Sequence, residues 1–479
     1  MISKSTIPQL FLFLILLTLI NTYYIKEGHV SYKIITNFTF GSNFYGRYSS
    51  HENIFEKIAS HNPNLWIWLG NAVYLDQPNF NYFQNSPESI DYDLIRSLYK
   101  KVKDDKFYSE LSRTTPIIGT WGDEEFGIIN GDKKNYLKEG FKQYYLDFLD
   151  VDAVDIRRHD ENLGIYATYS FGTKGKNVRF ILLDLKYDKN SYLNEGDIDM
   201  LGQKQWEWLE NIFKKKDEAY TFICASNQIL SNDRFIMKKW YADSRKKLFD
   251  LIGKYHKNGV ILLTGGLGFS QILKTFCPLK NINYNIYEFT SSGLGYKNKF
   301  NSYLNNFYHN DYLIEGTNYN DINFGQVNIH WGDKDINESY IEFQIYDKND
   351  NVVSNTIVNY TQLMFRENSE YFYSDKNNLK EITYMNIHDD ESCQREIYHI
   401  VRTPFMIIRY YFTHLKQLPE AIITSLVLIV FAETLLSKRF YYILILCLLC
   451  FVCYCFCYFY DLIKYNSFRN KILTEIGKN

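Results

Sequence analysis

The sequence has little of what staples, bends or charges a chain. Only 8 of its 479 residues are proline and 8 are cysteine. Five of the cysteines, Cys447, Cys450, Cys453, Cys455 and Cys457, crowd into one apolar stretch near the C-terminus. Cys224, Cys277 and Cys393 are left for the rest. So sparse and odd a set is no disulfide framework, and a hydrophobic core must stabilise the body of the chain. The five resemble a metal site in spacing, but a lipid-facing apolar helix is a poor place for zinc. Near an interface they suit palmitoylation instead. An excess of one charge is also lacking. The formal net charge is -2, with no basic stripe, and nucleic acid is not an expected partner. There is no internal repeat and no heptad run. Gly265-Gly266-Leu267-Gly268 lacks the lysine of a phosphate loop and opens no clear helix.

Aromatics are abundant, with 42 Tyr and 35 Phe, and read as compositional bias that still feeds a large core. The chain is longer than one average domain, although α/β folds of this size form single units. Its ends carry the long apolar runs. Lys4 followed by Leu10–Ile20 has the form of a secretory signal, so residues 1–25 are a signal peptide or signal anchor. No small-x-small cleavage site stands out at Asn21–Tyr24, which leaves retention as an anchor open.

Phe440–Tyr460 is 21 residues without a charge, where a bilayer span needs roughly 20. Ala421–Leu436 is shorter and contains Glu433, so it is either a second span or an interfacial segment, and residues 418–460 hold one or two spans. With one span, the short basic tail of residues 461–479 lies in the cytosol and the main domain in the lumen or outside the cell. Two spans would place Lys438-Arg439 in the cytosol and return the tail. A membrane of the secretory pathway or the cell surface is the expected location. Residues 351–417 read as a polar stalk. Asn37-Phe38-Thr39, Asn337-Glu338-Ser339 and Asn359-Tyr360-Thr361 are glycosylation sequons.

Between the ends, strands and helices alternate. Strands are expected at Lys33–Phe40, Leu65–Leu69, Tyr220–Ala225 and Gly259–Thr264, the last three as short buried runs. Gly164–Phe171 and Val178–Leu185 form a hairpin through Gly172–Gly175. Helices are expected at Ile54–Ala59, Tyr92–Ser112, Tyr136–Leu149, Gln203–Phe213 and Ser244–Tyr255. Tyr284–Thr290, Gly325–Trp331 and Ser339–Tyr346 suggest closing strands. This order predicts a layered α/β sandwich over about residues 30–350. The stretch Pro116–Gly127 is its focus: a short apolar run passes into Thr120, Trp121 and three acids, Asp123, Glu124 and Glu125. Carboxylates where a strand leaves the sheet can hold a hard cation or move a proton.

Several segments, in order, resemble the PhoD-like alkaline phosphatase and phosphodiesterase family of the metallophosphatase fold. Phe40-Gly41-Ser42 is similar to the first family strand end. Pro63–Asp76 is similar to "P-D-L-x-L-W-L-G-D-x-I-Y-x-D", and Gly119–Gly127 to "G-T-W-D-D-H-D-Y-G". Phe180–Asp188 is similar to "I-L-L-D-x-R-Y", Leu201–Glu210 to "L-G-x-x-Q-W-x-W-L-E", and Gly259–Ile272 to "G-V-x-x-L-S-G-D-V-H-F-x-E-I". Tyr287–Gly295 and Asn323–Trp331 complete the set. The resemblance implies an α/β/β/α sandwich, here with a C-terminal transmembrane helix. It also implies phosphoester hydrolysis at a metal cluster that activates a bound water.

The departures fall on the chemical positions. Asn43 stands where the family usually has Cys, and Asn71 stands where it has Asp. Tyr74 keeps the family Tyr. Gly122-Asp123-Glu124-Glu125 replaces Asp-Asp-His-Asp, and Gly266 and Gly268 fall at the Asp and His of Gly-Asp-Val-His. Glycine side chains ligate nothing. The expectation is a pseudophosphatase with a binding or scaffolding role, taking a protein partner or a phosphorylated ligand in the old pocket. It holds no metal, or a single weakly bound divalent cation (Ca, Mg, Fe or Zn) on Asp123, Glu124 and Glu125. Two alternatives stand beside it. One is an active phosphomonoesterase or phosphodiesterase with a rebuilt metal set that adds Asn71, Tyr74 and Asp76. The other is a structural subunit of a membrane complex.

Overall fold

A computed structural model describes residues 28–44, 53–74, 92–127, 131–191, 199–215, 218–231, 240–275, 282–295, 310 and 312–365. The N-terminal apolar run, Asp76, the expected stalk from residue 366 onward, both C-terminal apolar segments and the basic tail lie outside them. Among the described residues no helix is long and apolar enough to cross a membrane.

Two mixed sheets form the centre. Strands β2 (Asn37–Gly41), β3 (Trp66–Leu69) and β4 (Ile117–Thr120) run parallel. Strands β11 (Asn323–His330), β12 (Tyr340–Asp347) and β13 (Val352–Asn359) add to them in antiparallel fashion, giving the order β13-β12-β11-β2-β3-β4. The second sheet is built from β1 (Val30–Ser31), β5 (Ala167–Thr173), β6 (Lys176–Leu182), β7 (Tyr220–Ala225), β8 (Val260–Thr264), β9 (Gln271–Lys274) and β10 (Tyr287–Thr290), in the order β1-β5-β6-β7-β8-β10-β9. Its inner strands β6, β7, β8 and β10 are parallel.

Side-chain alternation explains the layers, since successive strand residues face opposite sides. In β3, Ile67 and Leu69 enter the core between the sheets, while Trp66 and Trp68 enter a second core on the other face. Phe38 of β2 meets Phe180 and Phe222 of the opposite sheet edge-on, at 5.0 and 4.9 Å. Phe289 stacks on Phe343 at 4.0 Å, joining β10 to β12. The second core is covered by α1 (Ile54–Ser60), α2 (Tyr92–Lys103), α3 (Lys106–Thr114) and α4 (Lys138–Phe148), through Phe55, Tyr99, Tyr108, Tyr145 and Phe148. After the one-turn α5 (Ile156–His159), α6 (Gln203–Phe213) and α7 (Ala242–Lys254) pack Trp206, Leu209, Leu248 and Ile252 against the other sheet.

Three expectations change. The single helix Tyr92–Ser112 is two. The chain breaks at Asp104-Asp105, and the Asp105 carboxylate accepts from Phe107 N and Tyr108 N at 3.0 and 2.9 Å, starting α3 afresh. The hairpin turn is tighter than four residues, because Thr173 pairs with Lys176 and only Lys174-Gly175 stay outside the ladder. The expected boundary at residue 350 falls inside the sheet. Val352–Asn359 pairs along β12, and Leu363 is fully buried in the core beyond it.

Candidate functional site

The C-terminal ends of β2, β3, β4, β7, β8 and β10 meet. Leu294 N and Gly295 N donate to Ser42 O and Asn43 O (3.1 and 3.0 Å), and Asn43 N donates to Gly70 O (3.2 Å). Thr120 Oγ1 donates to Leu183 O at 2.7 Å, tying the two sheets. Asn43 and Asn71 both adopt left-handed backbone (φ 59° and 56°), a conformation that asparagine tolerates better than most side chains. They turn the chain sharply out of β2 and β3 and aim their amides at each other, with Asn71 Nδ2 2.6 Å from Asn43 Oδ1.

The turn after β8 presents three successive amides. Gly266 N donates to Ser42 Oγ (3.0 Å), and Leu267 N and Gly268 N both donate to Ser292 Oγ (2.7 and 3.0 Å). Ser42 Oγ donates in turn to Ser292 Oγ (2.8 Å), and the Asn43 amide lies 2.9 Å from the same oxygen. With that amide turned over, its oxygen accepts from Gly268 N at 2.7 Å and its nitrogen reaches Tyr74 Oη at 3.3 Å. Concave runs of main-chain N–H groups of this kind bind anions elsewhere. Here serine hydroxyls fill them. Five of the expected site positions, Asn43, Asn71, Tyr74, Gly266 and Gly268, thus come together in a network of amides and hydroxyls.

The acids behave differently. Asp123 is buried and pairs with the ammonium of Lys186 at 2.5 Å, itself fully buried. Glu125 is also fully buried. Its carboxylate accepts from Asn71 N and Gly122 N at 2.8 Å each, and from Ala72 N, lashing the Pro116–Gly127 segment to the end of β3. Burial pushes its pKa up, and those main-chain donors oppose the shift. Glu124 is only half-buried, and its own N–H faces Asn71 Oδ1 at 3.4 Å. The three acids therefore do not converge, and among the described residues no three His, Cys, Asp or Glu side chains are placed to hold a metal.

Lys186 was not among the expected site residues. Its signal was the "D-x-R-Y" motif, where it stands at the family Arg. Ser42 and Ser292 lay within matched segments, but nothing in their sequence announced that they would cap the β8 turn. Asp184 is a hub rather than a ligand. It accepts from Trp121 Nε1 (2.7 Å), Ile165 N (2.9 Å), Lys186 N (2.8 Å) and Tyr187 N (3.0 Å), and burial raises its pKa against those bonds.

The family fold implies a cluster of divalent ions at this junction, and the residues present do not fit one. A cluster of divalent ions needs several carboxylates or imidazoles to balance its charge, whereas the side chains that meet at the β8 turn are amides and hydroxyls. Nor does the backbone leave room at Gly266 for the family's Asp, whereas at Gly122 it is the Asn71 side chain that would have to move. Gly266 sits at φ 77° with Ser226 O only 2.1 Å from where a Cβ would lie. A Cβ at Gly122 would meet Asn71 Oδ1 at 2.0 Å.

Comparison with known proteins agrees with the fold. The chain superposes on the solved structure titled "Structure of PhoD" with a TM-score of 0.50 and 16% identity, over 68% of this chain and 73% of that one. Looser matches are GAP50, titled as the anchor in the inner membrane complex of Plasmodium (TM-score 0.40, 12% identity, 70% and 91% coverage), and a putative 5'-nucleotidase from Staphylococcus aureus (TM-score 0.30, 11% identity, 70% and 55% coverage). No curated protein matches the sequence. The sequence model of the PhoD-like phosphatases matches residues 37–336, more than half of the chain and all of the strand ends described above, and the chain belongs to that family.

Proposed function

We propose that this chain is a membrane-anchored pseudophosphatase. It keeps the family fold, has given up hydrolysis, and serves in binding or scaffolding, with its main domain in the lumen or outside the cell. One observation carries the reading. At the junction of strand ends, the positions that would hold metal carry amides, hydroxyls and glycines already bonded to one another, and the carboxylates of Asp123 and Glu125 are committed to Lys186 and to main-chain amides. Hydrolysis in this family's manner needs a cation to lower the pKa of a water and to neutralise the phosphoryl oxygens. Among the described residues no three His, Cys, Asp or Glu side chains are grouped to hold such a cation. The membrane anchor rests on the uncharged run Phe440–Tyr460 and its interfacial tyrosines.

The test is metal content and turnover of one sample of the full chain in detergent, assayed on phosphomonoesters and phosphodiesters. The expected result is folded, monodisperse protein without stoichiometric metal and without turnover. Bound metal together with turnover that a chelator abolishes would overturn the reading and make Asp123, Glu124, Glu125, Asn71 and Tyr74 a rebuilt ligand set.

A further inference from the structure

Three sequons are present in the described region, and the fold treats them differently. Asn37 opens β2, an interior strand paired on both sides, with Asn37 itself opposite Asn328 of β11. Its amide nitrogen donates to His61 O (3.2 Å) and its oxygen accepts from Asn64 N (3.1 Å). The other two sequon residues, Phe38 and Thr39, are fully buried. A glycan on Asn37 would sever these bonds and wedge a bulky polar group against the sheet.

Asn337 and Asn359 are exposed; Ser339 and Tyr360 of their sequons are buried, and Asn337 Nδ2 donates to the exposed Asp335 carboxylate at 3.1 Å, a bond at the surface and not inside a sheet. The two asparagines also lie side by side. Tyr340 pairs with Asn359 across β12 and β13, and Tyr360 N donates to Ser339 O at 2.9 Å, so one pairing site lies between the two sequons. Thr361, the hydroxyl residue of the third sequon, is exposed as well. β13 ends its sheet, so among the described residues no further strand crowds this corner.

We propose that Asn337 and Asn359 are N-glycan acceptors of the folded chain and that Asn37 is not. The proposal rests on the lumenal placement of the main domain. In the transfer, the side-chain amide nitrogen forms a bond to the anomeric carbon of an oligosaccharide carried on a polyisoprenyl diphosphate. The bond from that carbon to the diphosphate oxygen breaks, the lipid diphosphate leaves, and the amide gives up one proton. The glycans add bulk and solubility beside an open sheet edge, where they displace no packed side chain.

The test is expression of the full chain in secretory eukaryotic cells, with peptide-N-glycosidase treatment of the soluble, folded fraction and site mapping by mass spectrometry. A reporter variant, Lys174→Asn with Lys176→Thr, puts a sequon on the exposed β5–β6 turn, where Asn-Gly suits a tight hairpin. The expected wild type carries two glycans. Asn337→Gln and Thr361→Ala each remove one, the latter leaving Asn359 in place. Asn37→Gln changes nothing in the glycan count. A glycan on Asn37 in the folded fraction overturns the proposal. So does a modified reporter in a chain whose Asn337 and Asn359 stay bare. An unmodified reporter overturns the lumenal placement, and the proposal falls with it.

Discussion

Removing the ammonium of Lys186 would leave the Asp123 carboxylate buried with its compensating charge gone. Breaking one side of a buried pair costs about 3–5 kcal/mol, more than the intact pair contributes. Lys186→Met is therefore expected to lower the urea midpoint strongly. The double variant Asp123→Asn with Lys186→Met should recover much of the loss, because no naked charge remains. Gly266 gives a second residue-scale prediction. Gly266→Asp matches the family motif, yet it is expected to destabilise the fold without creating a metal site. Backbone strain alone is worth about 1–3 kcal/mol, and the added Cβ meets Ser226 O at 2.1 Å. A variant as stable as wild type that gains a stoichiometric metal would refute this. Asp188 supplies a pH signature. Burial and the nearby Asp184 carboxylate raise its pKa from 3.8 to about 6, against Lys138, Lys204 and Lys133. The folded chain then holds a proton that the unfolded chain has released, so stability falls as pH rises from about 4 to about 6. Asp188→Asn should flatten that part of the urea-midpoint profile. The departures at this site were legible at once in the sequence, since Asn71, Gly266 and Gly268 interrupt recognisable motifs. What those positions bond to was not, because Ser42 Oγ reaches Gly266 N across 224 residues, and Ser292 Oγ reaches Leu267 N and Gly268 N only because the strand ends meet in space.

Asp105 shows how one residue divides an element. Leu94, Leu98, Val102 and Phe107 keep a helical rhythm through residue 104, and that rhythm alone predicts one helix. The carboxylate that caps α3 ends it. Asp105→Ala is expected to cost about 0.5–2 kcal/mol, while Asp105→Asn, which keeps an accepting oxygen, should cost far less. Paired urea titrations separate the two. Buried strands such as β3, β7 and β8 were legible because both of their faces are covered, which writes a continuous apolar run bounded by glycine or polar residues. β13 was not. It lies at a sheet edge with Val352 and Ile357 exposed, and its Ser, Asn and Thr residues read as stalk. The β-branched run Val352, Val353, Thr356, Ile357 and Val358 was the available signal.

At the scale of the whole molecule, the question is what holds the strand ends of the two sheets together. A metal cluster that bound the folded state and not the unfolded one would do this. At a ligand concentration one hundred times Kd, such binding adds about 2.7 kcal/mol, which is several degrees of Tm for a domain of this size. In this chain the same junction is closed by Thr120 Oγ1 on Leu183 O and by Ser42 and Ser292 on the β8 turn, above a core in which Phe38 packs on Phe180 and Phe222. All of these are contacts between groups of the chain itself. The full chain should therefore melt at the same temperature with excess chelator as with Ca, Mg, Fe or Zn, to within the error of a thermal scan. The Ser292→Ala variant should melt lower under every one of these conditions, because Leu267 N and Gly268 N lose the Ser292 Oγ acceptor, which no cation replaces, at about 0.5–1.5 kcal/mol for each hydrogen bond lost. A Tm that climbs with one cation and falls back on chelation would mean that the junction still binds that ion, and the pseudophosphatase reading would fail with it.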